Sequence, residues 1–304
     1  MLGMLRDMSM KKSSIIKNDF LKSLPYLLPP LILYTIFYFY PLAMNIYLSF
    51  TRWNLTKRPP TWVGPENYFR MFSDPVFQKA LLNTLIFVVS VVSGSLLLGL
   101  LLAISVNRQT KLASITRSLM LIPYILPDIA AASMWLIIFG PGPSGYANHI
   151  LSLLGLPTYS WFYDPNLALP MVILYSIWKN VGFCALVIYA GLRSIPKDYI
   201  DAARVDGASD WQIYFKIIIP LLRPIMIFSL ASIIMMSWFV FSSVYILTKG
   251  GPGTATMMLG LLVYLEAFEK GRAGYAAAIA VFSTLLVIGI IVLQMRWYRG
   301  YEKY

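Results

Sequence analysis

Apolar residues in this chain gather into six runs, near 24–50, 81–106, 117–140, 167–192, 221–247 and 275–296, parted by short polar stretches. A helix needs roughly 20 apolar residues to cross about 30 Å of hydrocarbon, and every run meets that length. The runs are rich in Leu, Ile and Val and show no alternation of period two, so they predict helices and not barrel strands. The first run is too long for the core of a cleaved signal and has no small-residue cleavage site, so it is expected to be retained. The pattern predicts an all-α membrane protein with six transmembrane helices.

Composition agrees, with 58% hydrophobic and 12% charged residues, far from the quarter charged that is usual for soluble domains. The placement of Lys and Arg then orients the spans. Flanks on one side, including the segment with Arg193, Lys197, Arg204, Lys216 and Arg223, carry about twice as many basic residues as those opposite, and 141–166 carries none. By the positive-inside rule both termini and the 193–220 loop are expected to be cytoplasmic. The formal charge of +12 is thereby a topology signal and not a nucleic-acid footprint. With no low-complexity tract, repeat or long linker, the chain reads as a basic cytoplasmic tail over residues 1–23 and one six-helix membrane domain over 24–304.

Catalytic chemistry is thinly supplied. One His (His149) and one Cys (Cys184) make neither a zinc site nor a Cys/His pair. No GxxxxGK[ST] phosphate loop occurs, so no cofactor is expected in this chain and ATP hydrolysis is not expected of it.

The loop over 194–220 is unusual. Pro196 suits a first helical position, with Ser194 nearby as a cap. Lys197 to Asp206 then reads as helix, and Gly207 as a left-handed stop. Ser209 begins a second helix that places Trp211, Phe215 and Ile218 on one face, and Pro220 and Pro224 mark entry into the next span. The small pair Ala202 and Ala203 lets a partner backbone approach, with Asp201, Arg204 and Asp206 as polar anchors. Periodicity alone fits an amphipathic helix lying on lipid equally well.

The letters go further. D-A-A-x-x-D-G-A (201–208) resembles the EAA motif of ABC-importer permeases. W-V-G-P-E-N-Y (62–68), I-P-Y-I-L-P (122–127), G-Y-A-N-H-I-L (145–151), W-K-N-V-G-F (178–183), L-T-K-G-G-P (247–252) and G-Y-A-A-A (274–278) are similar to the sugar-permease branch of that family. The resemblance implies a type I ABC importer permease fold in a prokaryotic cytoplasmic (inner) membrane. It also implies a heterodimer with a second permease, two ATP-binding subunits that hold the ATP and Mg, and a solute-binding protein outside. Asp201, Ala202, Ala203, Arg204, Asp206 and Gly207 would form the element that couples to the ATPases, with Asp201 in place of the usual Glu.

Two charges stand out well inside the runs, Asp128 after Pro127 and Lys179 in the fourth. An ionisable group there costs about 2.5–3.5 kcal/mol on insertion scales, so it faces a cavity or a partner, and the two either pair with each other or meet solute. Pro123 and Pro127 are expected to kink the third span. The family resemblance places solute between Tyr124 and Asp128 on the third span, Ser176, Lys179, Asn180 and Phe183 on the fourth, and Ile233, Met236, Ser237 and Val240 on the fifth. It implies a sugar carried by alternating access. A neutral oligosaccharide, an acidic sugar and a sugar or glycerol phosphate all remain open. The alternative is an ion-coupled secondary transporter with Asp128 as coupling site, although inverted repeats of broken helices are not evident.

Overall fold

The structure is a computed structural model that describes residues 23–55, 59–108 and 110–301, the last three by main chain alone. The basic tail expected over 1–23 lies outside the described residues except for Ser23, where the first helix begins. In chain order the helices are α1 (Ser23–Ser49), α2 (Glu66–Ser73), α3 (Pro75–Ser105), α4 (Lys111–Ile125), α5 (Asp128–Ile138), α6 (Tyr146–Leu153), α7 (Ala168–Ser194), α8 (Lys197–Val205), α9 (Asp210–Trp238), α10 (Ser242–Leu247), α11 (Leu259–Tyr264) and α12 (Ala273–Tyr301). Five of these (α1, α3, α7, α9 and α12) are long and apolar enough to cross a bilayer, and the pair α4 and α5 makes a sixth crossing if taken as one. That pair is bent by 98°, so the third crossing is broken and not merely kinked. A two-residue antiparallel ribbon, Thr51–Arg52 with Thr61–Trp62, closes the first outer segment.

The core is built on α3 and α7, which lie against each other along most of their length. Asp74 caps α3 by accepting from the Val76 amide at 2.8 Å, with Pro75 at the first helical position. Close approach depends on small residues at the crossing, where lipid offers no hydrophobic drive and packing must supply the attraction. A Cβ at Gly99 would sit 2.7 Å from the Cys184 Cβ. Buried Asn83, on α3, donates to the carbonyls of Thr254, Ala255 and Met257 at 3.0–3.1 Å. Thr84 accepts from the Leu259 amide at 3.0 Å. A helix carrying no excess polar groups thus ties down an irregular outer segment whose amides and carbonyls would otherwise be costly to bury.

Prolines shape the long helices in a consistent way. A π turn at Thr35–Phe39 precedes Pro41, and another at Tyr214–Ile218 precedes Pro220. Proline offers no N–H to the carbonyl four residues back and crowds it, and each helix widens by one residue to absorb the fault. Pro220 and Pro224 therefore sit inside α9, which starts at Asp210, and not at the entry to a new helix. The extra residue also rotates the downstream face. Trp211 and Phe215 stack at 5.3 Å and remain exposed, whereas Ile218 turns into the core, so the expected common face is split.

The α8–α9 turn follows the expected plan with two changes. Gly207 has φ +80°, which suits glycine, and Ser209 forms a capping box with Gln212. Pro196 precedes the first residue of α8, and Ser194 bonds back to the Gly191 carbonyl at 2.8 Å without capping it. Ala203 is buried against Ile188, Ile213 and Leu222. Of the small pair, only Ala202 faces outward with Asp201, Arg204, Asp206 and Gly207.

Candidate functional site

The third and fifth crossings break beside the same cavity. Leu126 and Pro127 take extended ψ values of 137° and 132° and separate α4 from α5. Residues 239–241 separate α9 from α10, so the fifth span ends at Trp238 and not near 247. Irregular backbone at membrane depth is tolerated where it lines a cavity or is buried in protein. Between the two breaks and α7 lies a cavity of about 600 Å³, within the size range of small-molecule sites.

The two charges are each committed to one end of the broken third crossing. Lys179 Nζ donates to the carbonyl of Leu126 at 2.7 Å and to that of Pro123 at 3.2 Å, the carbonyls that lose their helical partners where α4 stops. A cation there also meets the negative end of the α4 dipole. Asp128 lies in the first turn of α5, the favourable end for an anion. Its Oδ1 accepts from the Tyr175 hydroxyl at 2.7 Å, and its own carbonyl oxygen lies 3.0 Å from that hydroxyl. Among the described residues the two charges form no ion pair with each other. Both still border the cavity, which holds one positive and one negative group.

Of the residues expected to meet solute, Tyr124, Asp128, Ser176, Lys179, Asn180, Met236, Ser237 and Val240 line this cavity. Two do not. Ile233 is fully buried in the main apolar cluster, a turn of α9 too deep to reach the lumen. Phe183 stands behind Tyr124, its ring stacked on the tyrosine at 5.0 Å and 22°, so it supports the wall without forming it. Ser237 borders the cavity, while its Oγ is buried and unpartnered among the described residues. The cavity also uses residues that the sequence reading did not name: Phe87, Ile125, Tyr175, Phe239, Phe241, Ser242 and Ser243. Tyr175 was within reach of that reading, since it lies four residues before Lys179 and so on the same helix face. Phe87 carries no such signal.

Broken helices meeting at a polar lumen inside a bundle of apolar spans define a solute permease. Residues 95–300 match the family described as binding-protein-dependent transport system inner membrane component. A probable ABC transporter permease of Pyrococcus horikoshii is 35% identical over 91% of this chain and 96% of its own length. The sulfoquinovosyl glycerol transport permease SmoG of Agrobacterium fabrum is 34% identical over 92% and 91%. The sn-glycerol-3-phosphate transport permease UgpA of Yersinia pestis is 32% identical over 92% and 96%. Among solved structures, a chain of a bacterial alginate ABC transporter, crystallised with an alginate pentasaccharide-bound periplasmic protein, superposes with a TM-score of 0.81. That chain is 23% identical and the match covers 95% of this chain and 97% of it, a likeness of fold. The chain belongs to the family of inner-membrane permease components of binding-protein-dependent ABC transport systems. It is a transport component and not an enzyme, and the ion-coupled alternative is set aside.

Proposed function

We propose that this chain lines half of the import pathway for a hydroxyl-rich, carbohydrate-type solute. The observation that carries the reading is the lumen between the two helix breaks, where the Tyr124 face backed by Phe183 shares the wall with Ser176, Asn180 and Ser237. An aromatic face suits the C–H surface of a sugar ring, and a few convergent polar groups fix its hydroxyls. The solutes for which SmoG and UgpA are named, sulfoquinovosyl glycerol and sn-glycerol-3-phosphate, support the class. A strain lacking this chain, offered a panel of radiolabelled saccharides and glycerol derivatives, tests it. Loss of uptake for a saccharide or glycerol-based solute is the expected result, and unchanged uptake across the panel overturns it. Tyr124→Ala is expected to raise the half-saturating solute concentration about tenfold, since losing about 1.4 kcal/mol of contact has that effect; concentration-dependent uptake in the variant strain measures it.

The remaining partners follow from the same reading. A second permease completes the pathway, two ATP-binding subunits drive it, and a solute-binding protein delivers from outside. The termini face the cytoplasm, and the exposed edge formed by Asp201, Ala202, Arg204, Asp206 and Gly207 couples to the ATP-binding subunits. Arg204 lies 3.9 Å from both Asp201 and Asp210 on an exposed surface, where such pairs contribute under about 1 kcal/mol. Asp201→Arg is therefore expected to leave the fold intact while releasing the ATP-binding subunits. Co-purification from native membranes checks this, and full retention of those subunits would remove Asp201 from the coupling surface.

A further inference from the structure

A second cavity, of about 560 Å³, opens between α9, α3 and the end of α12, its α9 wall lying N-terminal to the part of α9 that lines the solute lumen. Its walls are apolar, from Leu96, Leu221, Met226, Ile227 and Leu230, while one cation, Arg223, stands at its edge with Trp297 and Tyr298. The side chain of Gln294 bridges α12 to the Ile227 carbonyl at 2.9 Å, and the groove opens from that tie toward the end of the span. Arg223 is exposed and has no carboxylate partner among the described residues. Trp and Tyr favour the depth of lipid headgroups, which sets the mouth of the groove at the membrane boundary.

We propose that this groove binds one anionic phospholipid, an acyl chain lying along the Leu96–Leu230 wall and the phosphate paired with Arg223. Charge and shape both point that way. An exposed guanidinium with no carboxylate partner among the described residues is matched by a phosphate, which it can grip with two N–H groups. A basic pocket between spans is the usual form of a headgroup site. The space is also too small for more than a short piece of a partner's helix: at a diameter of about 10 Å and a pitch of about 5.4 Å, a helix fills it in little more than one turn. A slimmer acyl chain is accommodated, held by packing against the groove wall, since it comes from lipid and not from water. The proposal rests on the membrane placement of the chain and not on the identity of the solute.

The test uses the chain with its co-purifying partners, transferred into nanodiscs of phosphatidylcholine with phosphatidylglycerol as the anionic probe. Native mass spectrometry after mild activation is expected to show one phosphatidylglycerol held per copy in the wild type and in Arg223→Lys. In Arg223→Gln that retention should fall at least tenfold, with phosphatidylcholine retention unchanged. Equal retention of phosphatidylglycerol in wild type and Arg223→Gln overturns the proposal. A photo-crosslinker at position 230 in native membranes gives an independent readout: labelling of phospholipid supports the site, and labelling of another protein chain overturns it. Neither result depends on which solute is transported, so failure here leaves the solute reading intact.

Discussion

Replacing Lys179 by methionine is expected to cut uptake at least 100-fold for every solute the complex carries, neutral or acidic alike. The ammonium is spent on the carbonyls of Leu126 and Pro123, and methionine has no donor to offer them. Leaving two such carbonyls without partners costs roughly 1–3 kcal/mol each, and about 2.7 kcal/mol already corresponds to a 100-fold loss of the competent form. Lys179→Arg keeps charge and donors and is expected to restore part of the activity. Uptake of a neutral and an acidic saccharide, each normalised to the amount of chain in the membrane, is the measurement. Loss confined to the acidic saccharide would mean that the amine serves the solute's charge and not the broken helix.

The second large effect is expected one turn further along α7. A Cβ at Gly182 would run into the main-chain carbonyl of Met120 on α4. Backbone cannot yield as a side-chain tip does, so Gly182→Ala must push α7 away from α4. Overpacking of this kind costs about 3 kcal/mol, and it carries Lys179 out of reach of its carbonyls. Thermal unfolding of the purified complex together with uptake should show both losses. Gly289→Ala is the control, because a Cβ there meets nothing within 4 Å, and it is expected to be neutral or slightly stabilising. Equal stability for the two variants would show that the α4–α7 approach is not tight.

These expectations show where sequence reasoning succeeds and where it stops. Span existence, the Pro123/Pro127 fault and the Gly207 turn each have a local cause, and local causes are legible in one chain. Asp128 and Lys179 border the lumen, as a charge inside a span suggests, and six of the eight other residues that the family resemblance places there border it too. The break at residues 239–241 was not legible. It contains Phe239, Val240 and Phe241, with neither Pro nor Gly, and a continuous apolar run through 247 was the reasonable expectation. The cause is tertiary: the Val240 carbonyl approaches Gly260 so closely that a Cβ there would lie 2.7 Å away. Ile233 was misplaced for the same kind of reason, since the end of α9 decides which of its turns reaches the lumen. The roles of Lys179 and Asp128 also needed coordinates. Spacing shows that two opposite charges enter the bundle, whereas only their partners show that each serves one end of a helix.

The broken third crossing bears on how the chain is made. Asp128–Ile138 has 11 residues, about 16 Å of helix, too little to cross about 30 Å of hydrocarbon unaided. As the ribosome delivers residues 117–140, Lys179 has not yet been synthesised, and no donor exists for the carbonyls of Pro123 and Leu126. Those carbonyls gain their donor only once α7 stands beside them, so this wall of the solute lumen is completed late in biogenesis, when the fourth crossing arrives.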